Sequence, residues 1–463
     1  RRLGSLEVSF CFQGFVFLGC KVNMQWFSRL VSNLWGLSSG SELKKFLYLA
    51  AGAFCLLGSF SPLKPLKESL FINMVGAEYY PRVKIISVCL MFLVVLLYSK
   101  IVDYFSKQHL IYAFLVFYVV VGFGFVAALS HPTWGIANTV ASPDRWVAWG
   151  FYLFVESYLT VMISLFWSFV NDVTSAASAK KGYGMIMFGS QTGALCFAVL
   201  AKMMIADVSA YTVRVPLLIG ISLALFSLLG VFVWRLTRFL PKSAPHQGEG
   251  GRGSEAVGIL EGLWIVLTRP YVAGMFFLVL FQEMIMSLMH YQQAYLAKLT
   301  FVQDSLLTNY FFTMNLVLQI LSCGFALLGT SYIHRTIGTR ASLMSFPALL
   351  LVSGAGYLVF PNLYAVTVFI VLLKGLHYAF NQPVRETLYI PTSKDIKYKA
   401  KAWIDVVGMR GAKAIGFELA GLLGHASGII GVAVLGLLSL WTGVASVIGK
   451  KNEEAVRRNT VIR

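Results

Sequence analysis

The chain sets ionisable residues where apolar ones would be expected. The run CLLGSFSPLKPLKESLFINMVGAEYY (55–80) carries Lys64, Lys67 and Glu68 among apolar neighbours, beside Pro62 and Pro65. Glu156 sits in another apolar stretch. Glu283, Lys374, His377, Arg385, Glu386, Lys401, Asp405, Arg410, Lys413 and Glu418 follow in the second half. A lysine or acid at the centre of a bilayer costs about 2.5 kcal/mol or more on insertion scales, so such residues face a cavity, pair with one another or line a path.

Spacing groups them. Lys64 and Glu68 are four apart, as are Lys401 and Asp405. Arg410 and Lys413 are three apart, and Lys413 lies five before Glu418. At helical spacing these residues share a face. The segment 400–424 then presents a largely cationic stripe, with Gly411, Gly416 and Gly421 expected to let helices approach closely. Lys and Arg facing a central cavity attract a polyanion, since Arg forks onto phosphate oxygens and Lys acts as a point charge. A phosphorylated or carboxylated metabolite is the expected cargo. Carboxylates such as Glu156 and Glu283 would limit how tightly it is held, carry a coupled proton, or swap partners during a cycle. The alternative is that these charges only form structural salt bridges within a helix bundle.

No covalent chemistry is indicated. The chain has no GxxxxGK[ST] loop, no GxSxG elbow and no HExxH pair. Of the seven histidines only His377 falls well within a polar span, and the plainer reading is a hydrogen-bonded core residue. Cys11, Cys20, Cys55, Cys89, Cys196 and Cys323 lie singly in apolar stretches and read as small buried residues. The expectation is therefore no enzyme, no metal and no bound cofactor.

The elements that must position these charges are membrane helices. The chain is 57% apolar and 13% charged, half the charge of a soluble domain. Its mean hydropathy is +0.72. A span needs roughly 20 apolar residues. Twelve stretches qualify, near 45–74, 83–102, 108–130, 146–171, 183–205, 213–240, 271–296, 306–330, 338–360, 362–382, 400–424 and 427–449. The Gly-rich polar stretch PKSAPHQGEGGRGSEAVGILEG (241–262) falls between the sixth and the seventh. The predicted organisation is an N-terminal extension (1–44), a six-helix bundle (45–240), a cytoplasmic linker (241–270), a second six-helix bundle (271–449) and a basic tail (450–463). The apolar run before Met24 reads as sequence upstream of a true start, or a frayed extension, with no role in the fold.

The net charge of +18 is a membrane signature here, not a nucleic-acid one. Basic residues crowd one set of loops, among them Lys180, Lys181, Arg235, Arg238, Lys397, Lys399, Lys450 and Lys451. The opposite loops hold Arg82, Lys84, Arg145, Lys202, Arg214 and Lys298. The positive-inside rule then puts both termini in the cytoplasm. The two halves also repeat a pattern. Residues 156–189 and 381–408 each run from a polar helix end through a basic turn with an Ala-Lys pair into a new span. A six-plus-six duplication is the architecture of major facilitator transporters, which hold substrate near the midplane between halves.

Four stretches carry a family resemblance. They are LKESLFINMVGAEYYPRVK (66–84), ESYLTVMISLFWSFVNDVTSAASAKKGYGMIMFG (156–189), the weaker LFQEMIMSLMHYQ (280–292) and RETLYIPTSKDIKYKAKAWIDVVGMRGAKAIG (385–416). Over most of 45–450 the chain resembles the ATP/ADP translocases of plastids, chlamydiae and rickettsiae. The resemblance implies nucleotide transport and a site with two lysines and two glutamates that matter for it. By motif these fall on Lys67, Glu156, Glu283 and Lys401, with Lys399 as the alternative to Lys401 and Glu283 placed by span and spacing. Arg385, Arg410 and Lys413 join them as candidate substrate-binding residues by charge and position. The chain departs from the family in HYAFNQP (377–383), where His377 stands for a Lys and Asn381-Gln382 for Phe-Asp. The seventh span also lacks a basic residue after its Glu, and the Arg of Ala-Lys-Arg is Lys181.

The leading expectation is a twelve-span secondary transporter exchanging ATP for ADP by alternating access. A nucleotide–proton symporter and a carrier of another phosphorylated anion are the alternatives. A membrane scaffold or receptor that lost transport is the reading from another class. The expected partners are ATP, ADP and the lipid bilayer, with no nucleic acid. A bacterial inner membrane is the expected location and a plastid envelope the alternative.

Overall fold

A helix stands in each of the twelve stretches that the sequence marks as spans. The computed structural model describes residues 40–462 except 105–106, 175, 206–209, 240–258, 329–338, 378–380, 390, 394, 425 and 459. The N-terminal extension up to residue 39, Met24, Cys11, Cys20 and most of the linker lie outside the described residues. The first half holds α1 (Gly40–Met74), α2 (Tyr80–Tyr104), α3 (Lys107–Ser130), α4 (Trp146–Asp172), α5 (Ala176–Ile205) and α6 (Tyr211–Phe239). A short α7 (Ile259–Thr268) falls within the segment read as linker. The second half holds α8 (Pro270–Thr300), α9 (Asp304–Leu328), α10 (Thr339–Val359), α11 (Leu363–Leu376) and the short α12 (Gln382–Thr387). A run from Ile396 then passes through two π-helical segments (Ile396–Ala400 and Ile404–Gly408) into α13 (Met409–Leu423), and α14 (Ser427–Arg457) closes the chain.

Helices are what this sequence must form, because a bilayer offers no partner for free backbone N–H and C=O groups. Among the described residues eight helices are long and apolar enough to cross a membrane by length and composition. Leu363–Leu376 is shorter, with 14 residues. α14, at 31 residues, is about 46 Å long at 1.5 Å per residue. It overshoots a hydrocarbon core of about 30 Å, so its polar end GKKNEEAVR projects beyond. The tail folds back there, where Ile462 donates its N–H to the Pro391 carbonyl at 2.7 Å.

The two halves are packed alike. In the first, α1 packs on α4, α5 and α6, and α3 on α4 and α6. In the second, α8 packs on α11, α13 and α14, and α10 on α11 and α14. Each first-half contact recurs at its counterpart. This is the repeat that the loop patterns at 156–189 and 381–408 suggest. Glycine makes a close helix seam in both halves. A Cβ on Gly189 of α5 would stand 2.6 Å from the Ala50 carbonyl of α1. One on Gly416 of α13 would stand 2.8 Å from the Met284 Cα of α8. Neither position admits a side chain without parting the helices. Gly411 and Gly421, expected to do the same, do not. Gly411 meets nothing within 4 Å, and Gly421 makes an ordinary contact with Pro81 at 3.9 Å.

The halves meet along α2–α13 and, at the corresponding place, α5–α9, with α1 also against α9. Their mutual hydrogen bonds, among the described residues, run from the end opposite the linker to the middle of the helices. Asn73 donates to the Asp304 carbonyl at 3.2 Å and accepts from Lys298 at 3.1 Å. Tyr211 and Thr308 hydroxyls are 2.9 Å apart, and Lys202 donates to Asn309 and Thr313. Deeper in, Asn315 donates to the Ser61 carbonyl at 3.2 Å. The bundles are thus joined at the far side. The cysteines do not all behave as expected: Cys55 is buried, but Cys89 and Cys196 are exposed.

Candidate substrate-binding site

Lys67 lies on the continuous helix α1, which runs unbroken through Pro62 and Pro65. It is buried at 3% exposure and forms an ion pair with Glu156 of α4. Its Nζ also stands 3.6 Å from Glu68 and 4.4 Å from the centre of the Tyr152 ring. Glu68 in turn accepts from Lys84 of α2 at 2.9 Å, from Tyr152 at 3.3 Å and from Tyr80. Lys84 lies 4.0 Å from Glu156. Two lysines and two carboxylates therefore form one network, roofed by aromatic rings. Charges buried this way are held by each other, and removing one partner leaves the other uncompensated at about 3–5 kcal/mol.

Lys84 corrects the sequence reading. It was assigned to a loop on the sparsely charged side, yet it belongs to α2, and its side chain is only 14% exposed. Its Nζ also faces Phe417 of α13, 5.8 Å from the ring centre, so it reaches the second half. Losing Lys84 from the sparse side sharpens the charge asymmetry of the loops. Arg145 is structural: it donates to the carbonyls of Trp134, Gly135, Asn138 and Val140 in the loop before α4.

The second half has its own network. Glu283 of α8, 5% exposed, lies 3.6 Å from Lys413 of α13. Ser287 ties the same two helices by donating to the Glu283 and Lys413 carbonyls. Lys413 thus pairs across helices with Glu283 and not along its own helix toward Glu418, which is exposed. Gln282 donates to Glu283 at 3.3 Å and accepts from Asn381 at 2.7 Å. Asn381 is 3.5 Å from His377 Nδ1. Arg385 of α12 is buried at 6% exposure, and its Nη1 makes no hydrogen bond among the described residues. Arg410 of α13 has the same feature.

Lys401 stands apart from the other candidates. It pairs with Glu386 and lies 5.1 Å from the centre of the Tyr389 ring. The two π-helical segments flank it, a local widening common at functional sites. Its ion-pair partner is Glu386 and not Asp405, four residues on. Lys399 bonds Glu261 of α7 and lies 3.4 Å from Asp395, which ties it to the linker side.

Depth follows from helix rise. Lys64, Glu156 and Lys413 each lie ten residues from the far end of their helices, about 15 Å. That is the midplane of a hydrocarbon layer about 30 Å thick. Lys64 is solvent-exposed although buried residues flank it on both sides of the helix, so water reaches it inside the bundle. Lys67 and Glu156, and Glu283 and Lys413, were each singled out from sequence and are brought together. Lys84, Tyr80, Tyr152, Gln282 and Asn381 were not singled out. Tyr80 and Lys84 had a signal, being four apart at the start of a helix within the stretch 66–84.

The model of a known family, the TLC ATP/ADP transporter, matches residues 21–451. The chain belongs to this family. It is 24% identical to ADP,ATP carrier protein 1 of Chlamydia muridarum, over 92% of this chain and 91% of that protein. It is 24% identical to the chloroplastic ADP,ATP carrier protein 2 of Arabidopsis thaliana, over 88% and 74%. With ADP,ATP carrier protein 1 of Rickettsia conorii it shares 22% over 85% and 88%. Among solved structures it resembles a bacterial homologue of the iron transporter ferroportin in an inward-facing state, with a TM-score of 0.63, 12% identity and coverage of 89% and 100%. The D-xylose-proton symporter gives a TM-score of 0.60 at 11% identity over 87% and 97%. These two likenesses show the fold, an all-α architecture of the major facilitator type.

His377 and Asn381 join the hydrogen-bond chain through Gln282 to Glu283.

Proposed function

We propose that this chain is a secondary transporter that exchanges ATP for ADP across a bilayer by alternating access, with the far side closed in the conformation described. The observation that carries this reading is the pair of guanidinium nitrogens, Arg385 Nη1 and Arg410 Nη1, buried without an acceptor. A buried charged donor left unmade is costly, and phosphate oxygens are the acceptors that guanidinium geometry fits. Each remaining site lysine is balanced by a carboxylate, Lys67 by Glu156, Lys413 by Glu283 and Lys401 by Glu386. Phosphate entering between the bundles competes with those carboxylates for the lysines. The carboxylates in turn take the lysines back, which lets product leave. No bond in the cargo is made or broken, and the nucleotide gradients supply the drive.

The location in this reading is a bacterial inner membrane, or a plastid envelope, with the termini and the linker side in the cytoplasm. The test is flux of labelled ATP into proteoliposomes with and without internal ADP. Exchange predicts uptake that depends on internal ADP. Folded protein with no flux of any nucleotide would leave a different anion or a non-transporting scaffold.

A second reading has one observation in its favour. Glu283 is buried at the end of the Gln282–Asn381–His377 hydrogen-bond chain. Nucleotide–proton symport predicts uptake that a protonophore abolishes, whereas exchange predicts none of that sensitivity.

A further inference from the structure

Four lysines gather around Glu68 and Glu156, and only two of them are balanced. Lys67 and Lys84 pair with the carboxylates. Lys64 and Lys374 form no ion pair or hydrogen bond among the described residues. They come from opposite halves, Lys64 from α1 and Lys374 from α11. His290 lies on α8, in the same half as Lys374.

Helix geometry sets the three at one level. Lys64 and His290 each lie ten residues from the far ends of α1 and α8, and Lys374 lies eleven from the far end of α11. Each is about 15 Å deep. Hydrogen bonds fix the faces. Ser61, one turn from Lys64, accepts from Asn315 of α9. Thr367, two turns from Lys374, meets Tyr310 of α9 at 2.6 Å. Gln293, one turn from His290, donates to the same Tyr310 at 2.8 Å. Helix α9 therefore gathers all three helices with these faces turned toward it.

This deepens the reading as a nucleotide exchanger and rests on it. We propose that Lys64 and Lys374, with His290 beside them, form a phosphate subsite shared between the two halves, and that their mutual repulsion keeps the unloaded carrier from closing. Closure on the linker side excludes water, and like charges repel more strongly as the local dielectric falls. A phosphoryl group carrying two negative charges between them turns that repulsion into two charge-assisted hydrogen bonds. Only the loaded carrier then occludes and returns, which is the condition for exchange without leak.

The test uses the full-length protein in proteoliposomes, with ATP as the probe. Wild type should admit labelled ATP many-fold faster when ADP is inside. Lys64→Gln and Lys374→Gln should each raise the half-saturating ATP concentration about tenfold or more, as expected for a lost charge-assisted hydrogen bond. Each should also bring the ratio of entry with and without internal ADP close to one. Lys374→Arg should preserve both. A merely structural lysine would not move that ratio. Unchanged half-saturation together with an unchanged ratio in the Gln variants overturns the proposal while leaving nucleotide exchange intact. Absence of wild-type flux overturns the reading beneath it. For a variant with no flux at all, ATP binding to the purified protein decides, and affinity equal to wild type overturns the subsite.

Discussion

Asn315 donates its side-chain amide to the carbonyl of Ser61, 3.2 Å away. That carbonyl is the one that Pro65, four residues on, leaves without a helical donor. The second half therefore completes a hydrogen bond that the first half cannot make for itself. The bond ties α9 to α1 one turn from Lys64, so the join between the halves is built into the wall of the candidate site.

Asn315→Ala should loosen that join. It leaves a buried carbonyl unsatisfied, at about 1–3 kcal/mol. The far-side-closed conformation should lose population by roughly tenfold for each 1.4 kcal/mol. Alkylation of a cysteine placed at Thr308 should accelerate accordingly. In a Pro65→Ala background Ser61 regains a helical donor, so Asn315→Ala should cost markedly less there. Equal costs in both backgrounds would show that the two residues are not coupled.

Asp304 and Lys298 are 3.3 Å apart, and both contact Asn73 of the first half. Asp304→Asn should weaken this partly exposed pair by about 0.2–1 kcal/mol. The expected result is a small increase in far-side accessibility with transport retained. Complete loss of transport would make the pair part of the translocation step instead of a join.

Lys84→Gln should impair transport as well as stability, because Glu68 would keep only its tyrosines and the more distant Lys67. Removing one member of a buried network costs about 3–5 kcal/mol. Lys84→Gln with Glu68→Gln should recover much of the stability, since no unpaired charge then remains, but not the uptake. Recovery of both would make the pair structural.

Gly416→Leu should part α13 from α8 and separate Lys413 from Glu283. Gly411→Leu, at an open position on the same helix, should be tolerated. The check is the thermal unfolding midpoint of the two variants side by side. Equal midpoints would contradict the seam.

The sequence made the helices legible because a bilayer leaves the backbone no alternative, and long apolar runs record that directly. It made Lys67, Glu156, Glu283 and Lys413 legible because a charge inside such a run needs a partner. It did not say which partner. Lys413 was read along its own helix, toward Glu418, yet it pairs across to Glu283 on α8. Lys401 shares a spacing of four with Asp405, yet it pairs with Glu386, fifteen residues back on α12. Lys84 is the second residue of the stretch 83–102 and counts equally with the loop before it, because the helix begins three residues earlier, at Tyr80, than the apolar stretch does. Gly411 and Gly421 show that small residues permit a close approach without causing one. Pairing between helices depends on which faces meet, and that information is spread over residues hundreds of positions apart, such as Ser61 and Asn315.

The central claim is that lysines held by carboxylates between the bundles are there to bind phosphate. Uptake of labelled ATP by Lys67→Ala, in proteoliposomes loaded with ADP and matched to wild type for inserted protein, tests it most directly. The account predicts uptake near background. Uptake close to that of wild type would contradict it.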